Sequence, residues 1–337
     1  MEKLYVRSEK IVFILAVLML ISTIGLPATT AFSQPASNID FTIPINEFNI
    51  DNVKKHVEKL SSFQSRFTGY PGFYAAAEYI VEQLKEMGVK PYGADEGYYE
   101  YFYMTIPYEE RCSIKLEDGT KIRAYTLYPN DVNTSPYTSS EEGDELVYVG
   151  KGELEDYAGV DVRGKFVLME FNSFWMFRLA MMMGAKGVIF IEPLDTTQME
   201  ALAKIYALPV SFPKLYVRRS DGLLLKKLCE EQGKVKIWID SYTMWRKVKV
   251  ANIVGYIPGK IASERPESDE VIILASYYDA WSITPGLAPG ATDALGVSVL
   301  LEIARILAEH QPYRSVRHVW WGGRSRYIPP DLWQHRL

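Results

Sequence analysis

Two aspartates occupy positions from which a side chain can do chemistry. Asp279 follows the apolar run Ile273-Leu274-Ala275, and Asp293 stands just ahead of a helical stretch. A carboxylate at either place could hold a metal ion. It could equally seed a turn after a strand or cap the start of a helix, and residue type and position alone leave both roles open. Of the four histidines, His56 and His310 fall in helical patterns and are expected to face solvent. His318 falls in a strand and His335 in the last residues, and none is spaced as a ligand partner of another. Tyr277 and Tyr278 read as packing residues, and Met181-Met182-Met183 as the core of a small unit.

The elements that must position these residues come from hydrophobic periodicity. Residues 52–88 carry two helical patterns, first Val53, Val57 and Leu60, then Ala76, Ile80, Val81 and Leu84, with Gly88 as the stop. Between them, 65–72 is a turn-rich loop that delivers the chain into the second helix. The bulky alternation at 98–106 predicts a half-buried strand. A Pro, Asn, Asp, Ser and Thr cluster over 129–143 reads as a surface loop or linker. Strands at 146–149 and 165–170, a helix at 174–183 closed by Gly184, and a buried strand at 188–191 have βαβ texture. Strands follow at 250–257 and 270–275, then a helix at 297–310 and a strand at 316–321. The final stretch, 324–337, contains Pro329-Pro330 and no amphipathic period.

Two blocks resemble known families. Residues 146–217 resemble a protease-associated domain through Gly150-Lys151-Gly152, through Asp161-Val162-Arg163-Gly164-Lys165-Phe166-Val167-Leu168, through Gly184-Ala185-Lys186-Gly187-Val188-Ile189-Phe190, and through Phe212-Pro213. The flanking segments resemble the zinc aminopeptidase family that includes glutamate carboxypeptidase and the transferrin receptor. The carrying residues are Ile273 to Trp281, Pro289-Gly290-Ala291-Thr292-Asp293 and Leu300-Leu301-Glu302. The resemblance implies an α/β fold: a mixed-sheet, phosphorylase/hydrolase-like aminopeptidase domain, incomplete here, with an inserted small α/β protease-associated domain. The expected boundaries are 45–110 and 248–323 for the aminopeptidase-like domain, 129–240 for the insert, and 324–337 for an aberrant tail.

In that family two zinc ions lower the pKa of a bound water and polarise the scissile carbonyl. The resemblance makes Asp293 the bridging metal ligand and Asp279 the catalytic-site carboxylate that orients a His ligand two residues earlier. Tyr277 stands at that His position, and a neutral phenol is a poor zinc ligand. Where the family carries a Gly-Glu-Glu run, this chain reads Gly322-Gly323-Arg324-Ser325. Zinc is therefore the family's cofactor but is expected to bind weakly or not at all here. The implied activity is removal of amino-terminal residues from peptides, impaired in this chain. The alternative is a noncatalytic module that binds peptides or protein surfaces.

Composition sets the remaining bounds. A length of 337 residues with 48% hydrophobic content fits two cores. The net charge of −5 argues against a nucleic-acid partner. Lys3, Arg7 and Lys10 followed by an apolar run from Ile11 to Ile21 read as an export signal over 1–34 or an N-terminal membrane anchor. The expected location is extracellular, or tethered and facing outward. In such a setting the two cysteines, Cys112 and Cys229, are either a disulfide or two separate buried thiols.

Overall fold

In the computed structural model the helical periods of the first segment form α1 (Ile50–Ser62) and α2 (Pro71–Glu86). The structure describes residues 46–94, 97–264 and 270–323. The expected export segment, the tail 324–337 and His335 lie outside them. The fold is that of the unit Glu47–Leu337. Among the described residues no helix is long and apolar enough to cross a membrane.

Asn49 caps α1 by accepting from the Asp51 N–H, which satisfies one of the donors that a helix start leaves open. α2 starts with Pro71, whose missing N–H costs nothing at a first helical position. It stops where Gly88 takes φ +71 and donates its N–H to Lys85 O, a left-handed turn that glycine adopts without steric penalty.

The chain continues through β1 (Lys90–Pro91), β2 (Tyr99–Leu116), β3 (Lys121–Thr126), β4 (Tyr137–Thr138), β5 (Asp144–Tyr148) and β6 (Phe166–Glu170). Next come α3 (Phe177–Met182), β7 (Gly187–Ile191), α4 (Gln198–Ala203), β8 (Lys214–Val217), α5 (Arg219–Gln232) and β9 (Val235–Ile257). It closes with α6 (Lys260–Glu264), β10 (Ile272–Tyr277), α7 (Ala291–Glu309) and β11 (Val316–Trp321). The strands form one mixed sheet in the order β10-β11-β9-β2-β3-β8-β7-β6-β5. Strands β5 to β8 run parallel to one another, as do β10 and β11. The mixed α/β architecture agrees with the sequence reading.

Two antiparallel strands tie the sheet together. β2 and β9 pair from Tyr99↔Ile253 to Leu116↔Ile237, with an irregularity between Glu109 and Arg111. Only their ends were expected as strands, because Pro107, the charges at 109–111 and those at 246–249 interrupt the apolar alternation. The expected boundaries at 110, 240 and 248 fall inside these two strands. One apolar cluster joins α1, α2 and α7 to the β11 end of the sheet through Leu60, Ile80, Leu301 and Trp320. Two others fill the two sides of the parallel strands, one around Phe166 and Ile189, the other around Val188 and Phe190, as strand alternation requires.

One open choice is decided and several expectations need correction. Cys112 and Cys229 are both free and buried, the second of the two readings. They share one cluster from different elements, β2 and α5, and the Cys229 thiol donates instead to Leu146 O at 3.7 Å. His56 does not face solvent. It lies on the buried face of α1 with Val53 and Leu60, and its Nδ1 is 2.6 Å from the Tyr79 hydroxyl. Met181 and Met183 pack against the core, but Met182, one residue between them on a short helix, is 80% exposed. The C-terminal helix starts six residues earlier than the apolar pattern indicated, at Ala291.

Candidate active-site region

Strand β10 delivers the run Tyr277-Tyr278-Asp279 to its C-terminal end, and side-chain alternation separates the neighbours. Tyr278 turns into the core. It is fully buried, its ring stacks on Phe73 at 4.7 Å, and its hydroxyl donates to Ala251 O at 2.7 Å. Burial pushes that phenol well above its ordinary range. The packing role expected of Tyr278 holds, and Tyr277 is half-buried on the opposite side of the strand. Asp279 is buried, and its Oδ2 accepts from Thr68 Oγ1 at 2.7 Å.

Asp293 arrives from α7, but not as the cap. The N-cap is Gly290, at φ +60, and the Ala294 N–H closes the first turn on Gly290 O at 2.9 Å. A Cβ at position 290 would lie 2.3 Å from the Ala280 methyl and 3.2 Å from Asp293 Oδ2. Only glycine fits, and the helix therefore begins before the aspartate. Asp293 stands in the first turn, where the helix macrodipole favours an acidic group.

The loop that sequence reading treated as a connector proves to be the frame of this region. Residues 65–70 are all buried, although four of the six are Ser65, Arg66, Thr68 and Gly69. Their polar groups are spent on the 279–290 segment. The Arg66 N–H donates to Ala288 O at 2.8 Å, Ala280 N–H to Arg66 O at 3.0 Å, and Ser65 Oγ to Pro285 O at 2.5 Å. The guanidinium of Arg66 donates to Gly290 O at 2.7 Å. Burial lowers Arg66 to about 10, and the nearby charges of Asp293 and then Asp279 oppose that fall. A buried cation thus compensates both carboxylates, a pairing that costs heavily if either side is removed. The one local hint of Arg66 is its place just ahead of two glycines, Gly69 and Gly72, and the structure leaves no room for a Cβ at either.

Among the described residues, the donors around Asp293 do not fit a zinc pair. Such a site needs several Cys, His or carboxylate ligands per ion. Tyr277 stands where the resemblance puts a His, and β11 ends at Trp321 followed by Gly322-Gly323-Arg324 where it puts Gly-Glu-Glu. His318 is on β11 but is fully buried and stacked on Trp320 at 5.9 Å. Burial lowers it to about 4, so it stays neutral in the core. Among the described residues the one group of three with metal-ligating spacing is Glu47, Glu309 and His310. It lies at the far end of α7, about 24 Å along the helix from Asp293 at 1.5 Å per residue. Its members are already paired: His310 Nε2 with Glu47 at 2.6 Å and Glu309 with Arg305 at 3.0 Å.

Asp293 also borders a cleft of about 470 Å³. One wall is the segment after Asp279, with Trp281, Leu287 and Pro289. The other comes from the C-terminal ends of β7 and β8, with Glu192, Tyr216 and Arg218. Clefts beyond the carboxyl ends of parallel strands are where open α/β sheets bind ligands.

The sequence pattern of Peptidase family M28 matches residues 252–324. No curated protein matches the chain. Among solved structures, BSAP, a zinc aminopeptidase from Bacillus subtilis, is 19% identical with a TM-score of 0.52, over 82% of this chain and 61% of that one. A Peptidase M28 precursor from Shewanella amazonensis is 14% identical with a TM-score of 0.52, over 83% and 65%. An aminopeptidase from Aneurinibacillus is 22% identical over 82% and 63%, with a TM-score of 0.40. The chain thus spans less than two thirds of each of these structures. Residues 252–324 carry the Peptidase family M28 pattern, on a mixed α/β fold shared with a zinc aminopeptidase.

Proposed function

We propose that this chain is a peptidase-like protein that holds peptides in the cleft beside Asp293 and hydrolyses them poorly or not at all. The observation that carries the reading is the donor set around Asp293. Asp279 and Asp293 both lie near the guanidinium of Arg66, while Tyr277 stands at the sequence position where the resemblance puts a His ligand, and Gly323-Arg324 where it puts the carboxylate pair. Without a metal-activated water, a peptide carbonyl gains neither nucleophile nor Lewis acid. The cleft remains, with aromatic and aliphatic surface on one wall and fixed charges on the other, the composition of a small-ligand site.

The α/β unit over 129–240 is read as the protease-associated domain, which supplies the second wall. Export, with or without retention of the apolar N-terminal run as an anchor, belongs to the same reading and rests on the basic start and that run. Binding of short peptides measured by calorimetry, alongside an aminopeptidase assay with added zinc, tests the proposal. Binding without turnover is the expected result. Turnover that depends on zinc and disappears in Asp293→Ala would show the impaired reading to be wrong.

A further inference from the structure

The wall of the cleft built by β7 and β8 carries an unequal charge pair. Glu192 follows β7 and Arg218 follows β8, and the two strands are adjacent and parallel. Both side chains therefore leave the same end of the sheet, into the space that Asp293 borders from the other side.

The carboxylate of the pair is fully committed. One Glu192 oxygen accepts from Arg218 Nη1 at 2.8 Å, and the other from the Arg219 backbone N–H at 3.0 Å. Its carbonyl accepts from Arg219 Nη1 at 3.3 Å, and its own N–H donates to Val217 O at 3.0 Å. Glu192 is fixed at both ends, with only a quarter of its side chain exposed.

The cation of the pair is not used up. A guanidinium has five N–H donors in a rigid fork; Glu192 takes one of them and the Tyr125 side chain is a further partner, which leaves others for a ligand. The Arg218 side chain is still 49% exposed. Its guanidinium carbon lies 6.0 Å from the ring of Tyr125, and the Arg123 guanidinium lies 4.6 Å from the same ring. Tyr125 thus steadies two cations, of which Arg123 is held by Glu109. An arginine oriented by one carboxylate, with donors left over toward a cleft, is organised to accept a second carboxylate in bidentate fashion.

We propose that Arg218 makes this cleft selective for peptides that place a carboxylate within its reach. That group is either an acidic side chain close to the bound end or the C-terminal carboxylate of a very short peptide. The inference rests on the cleft being a peptide site, and it adds the ligand's charge and the residue that reads it.

The test is isothermal titration calorimetry on the full chain at low ionic strength, because exposed pairs are screened by salt. The probes are tripeptide amides with glutamate, glutamine or lysine in the middle position, and the free-acid form of the glutamine peptide. The glutamate amide, the free acid, or both should bind about tenfold tighter than the glutamine amide, the size of a charge-assisted contact in a half-exposed site. Which of the two gains identifies the source of the carboxylate. The advantage should disappear in Arg218→Gln while the melting temperature is retained, and Arg218→Lys, which keeps the charge but loses the fork, should keep only part of it. Equal binding of all four peptides, or an advantage that survives Arg218→Gln, overturns the assignment while leaving peptide binding intact. Failure of every peptide to bind overturns the reading of the cleft itself.

Discussion

β7 and β10 are short, apolar strands of the same sheet, with the sequences Gly-Val-Ile-Phe-Ile and Ile-Ile-Leu-Ala-Ser-Tyr, yet they live in opposite surroundings. Every residue of β7 is buried, between β6 and β8 and with the clusters of Ile189 and Phe190 on its two sides. β10 stands at one end of the strand order. Among the described residues it pairs only with β11, and Ile272 and Ile273 are 46% and 44% exposed. Apolar content and β-branching reported the tendency to form a strand in both cases. Neighbours, which lie far away in sequence, decided the burial.

That difference should be measurable. Phe190→Ala in β7 is expected to cost about 3–5 kcal/mol, because it opens a cavity in a closed core. Ile273→Ala in β10 should cost less than about 1 kcal/mol, since much of its surface is already wet. Urea unfolding of the two variants makes the comparison, and similar losses would mean that β10 is covered in solution. The buried polar frame beside β10 should behave like β7 rather than like β10. Arg66→Met leaves Asp279 and Asp293 without their buried cation, and is expected to cost about 3 kcal/mol or more in the same measurement.

The two regions should also answer pH differently. His318 on β11 has its folded-state pKa lowered by burial from its usual 6.5 to about 4. The unfolded chain takes up that proton first, so stability is complete above about pH 6.5 and is lost as pH falls toward 4. His318→Phe should flatten that acid limb. Burial lowers Lys214 on β8 from 10.5 to about 7, and Lys204 at the end of α4 to about 8. For these amines the unfolded chain keeps the proton while the folded one gives it up. Stability should therefore rise as pH increases from about 7, until the buried thiols of Cys112 and Cys229, whose pKa values burial raises, reverse the trend by resisting ionisation. Lys214→Met should remove much of the rise. Melting temperature against pH for both variants separates the two limbs. The smallest effect belongs to the edge itself: Ile273→Lys should change stability by no more than about 0.5 kcal/mol. It should reduce concentration-dependent association seen by light scattering, because charge on an open strand blocks edge pairing.

What was legible in the sequence follows the same division. Runs such as Val188-Ile189-Phe190-Ile191 and the α2 stripe announce themselves, since their period matches their burial. The full length of β2 and β9 did not, because their middle residues are charged or proline and are held as strand by each other. Asp279 and Asp293 both lie near one buried cation, Arg66; that the two aspartates belong to one site was suggested only by the family pattern. Arg66 and Thr68 were missed for a physical reason: a polar loop reads as surface, and nothing local shows that the 279–290 segment will consume its hydrogen bonds. Asp293 was placed correctly near a helix start but one turn off as its cap, because the cap is a glycine chosen for its lack of a side chain.

The proposal that Asp279 and Asp293 stand without a zinc pair is tested most directly by the zinc content of the purified chain after equilibration with zinc and desalting. The account predicts far less than one zinc per chain, unchanged in Asp293→Ala. A ratio near two that collapses in Asp293→Ala would contradict it.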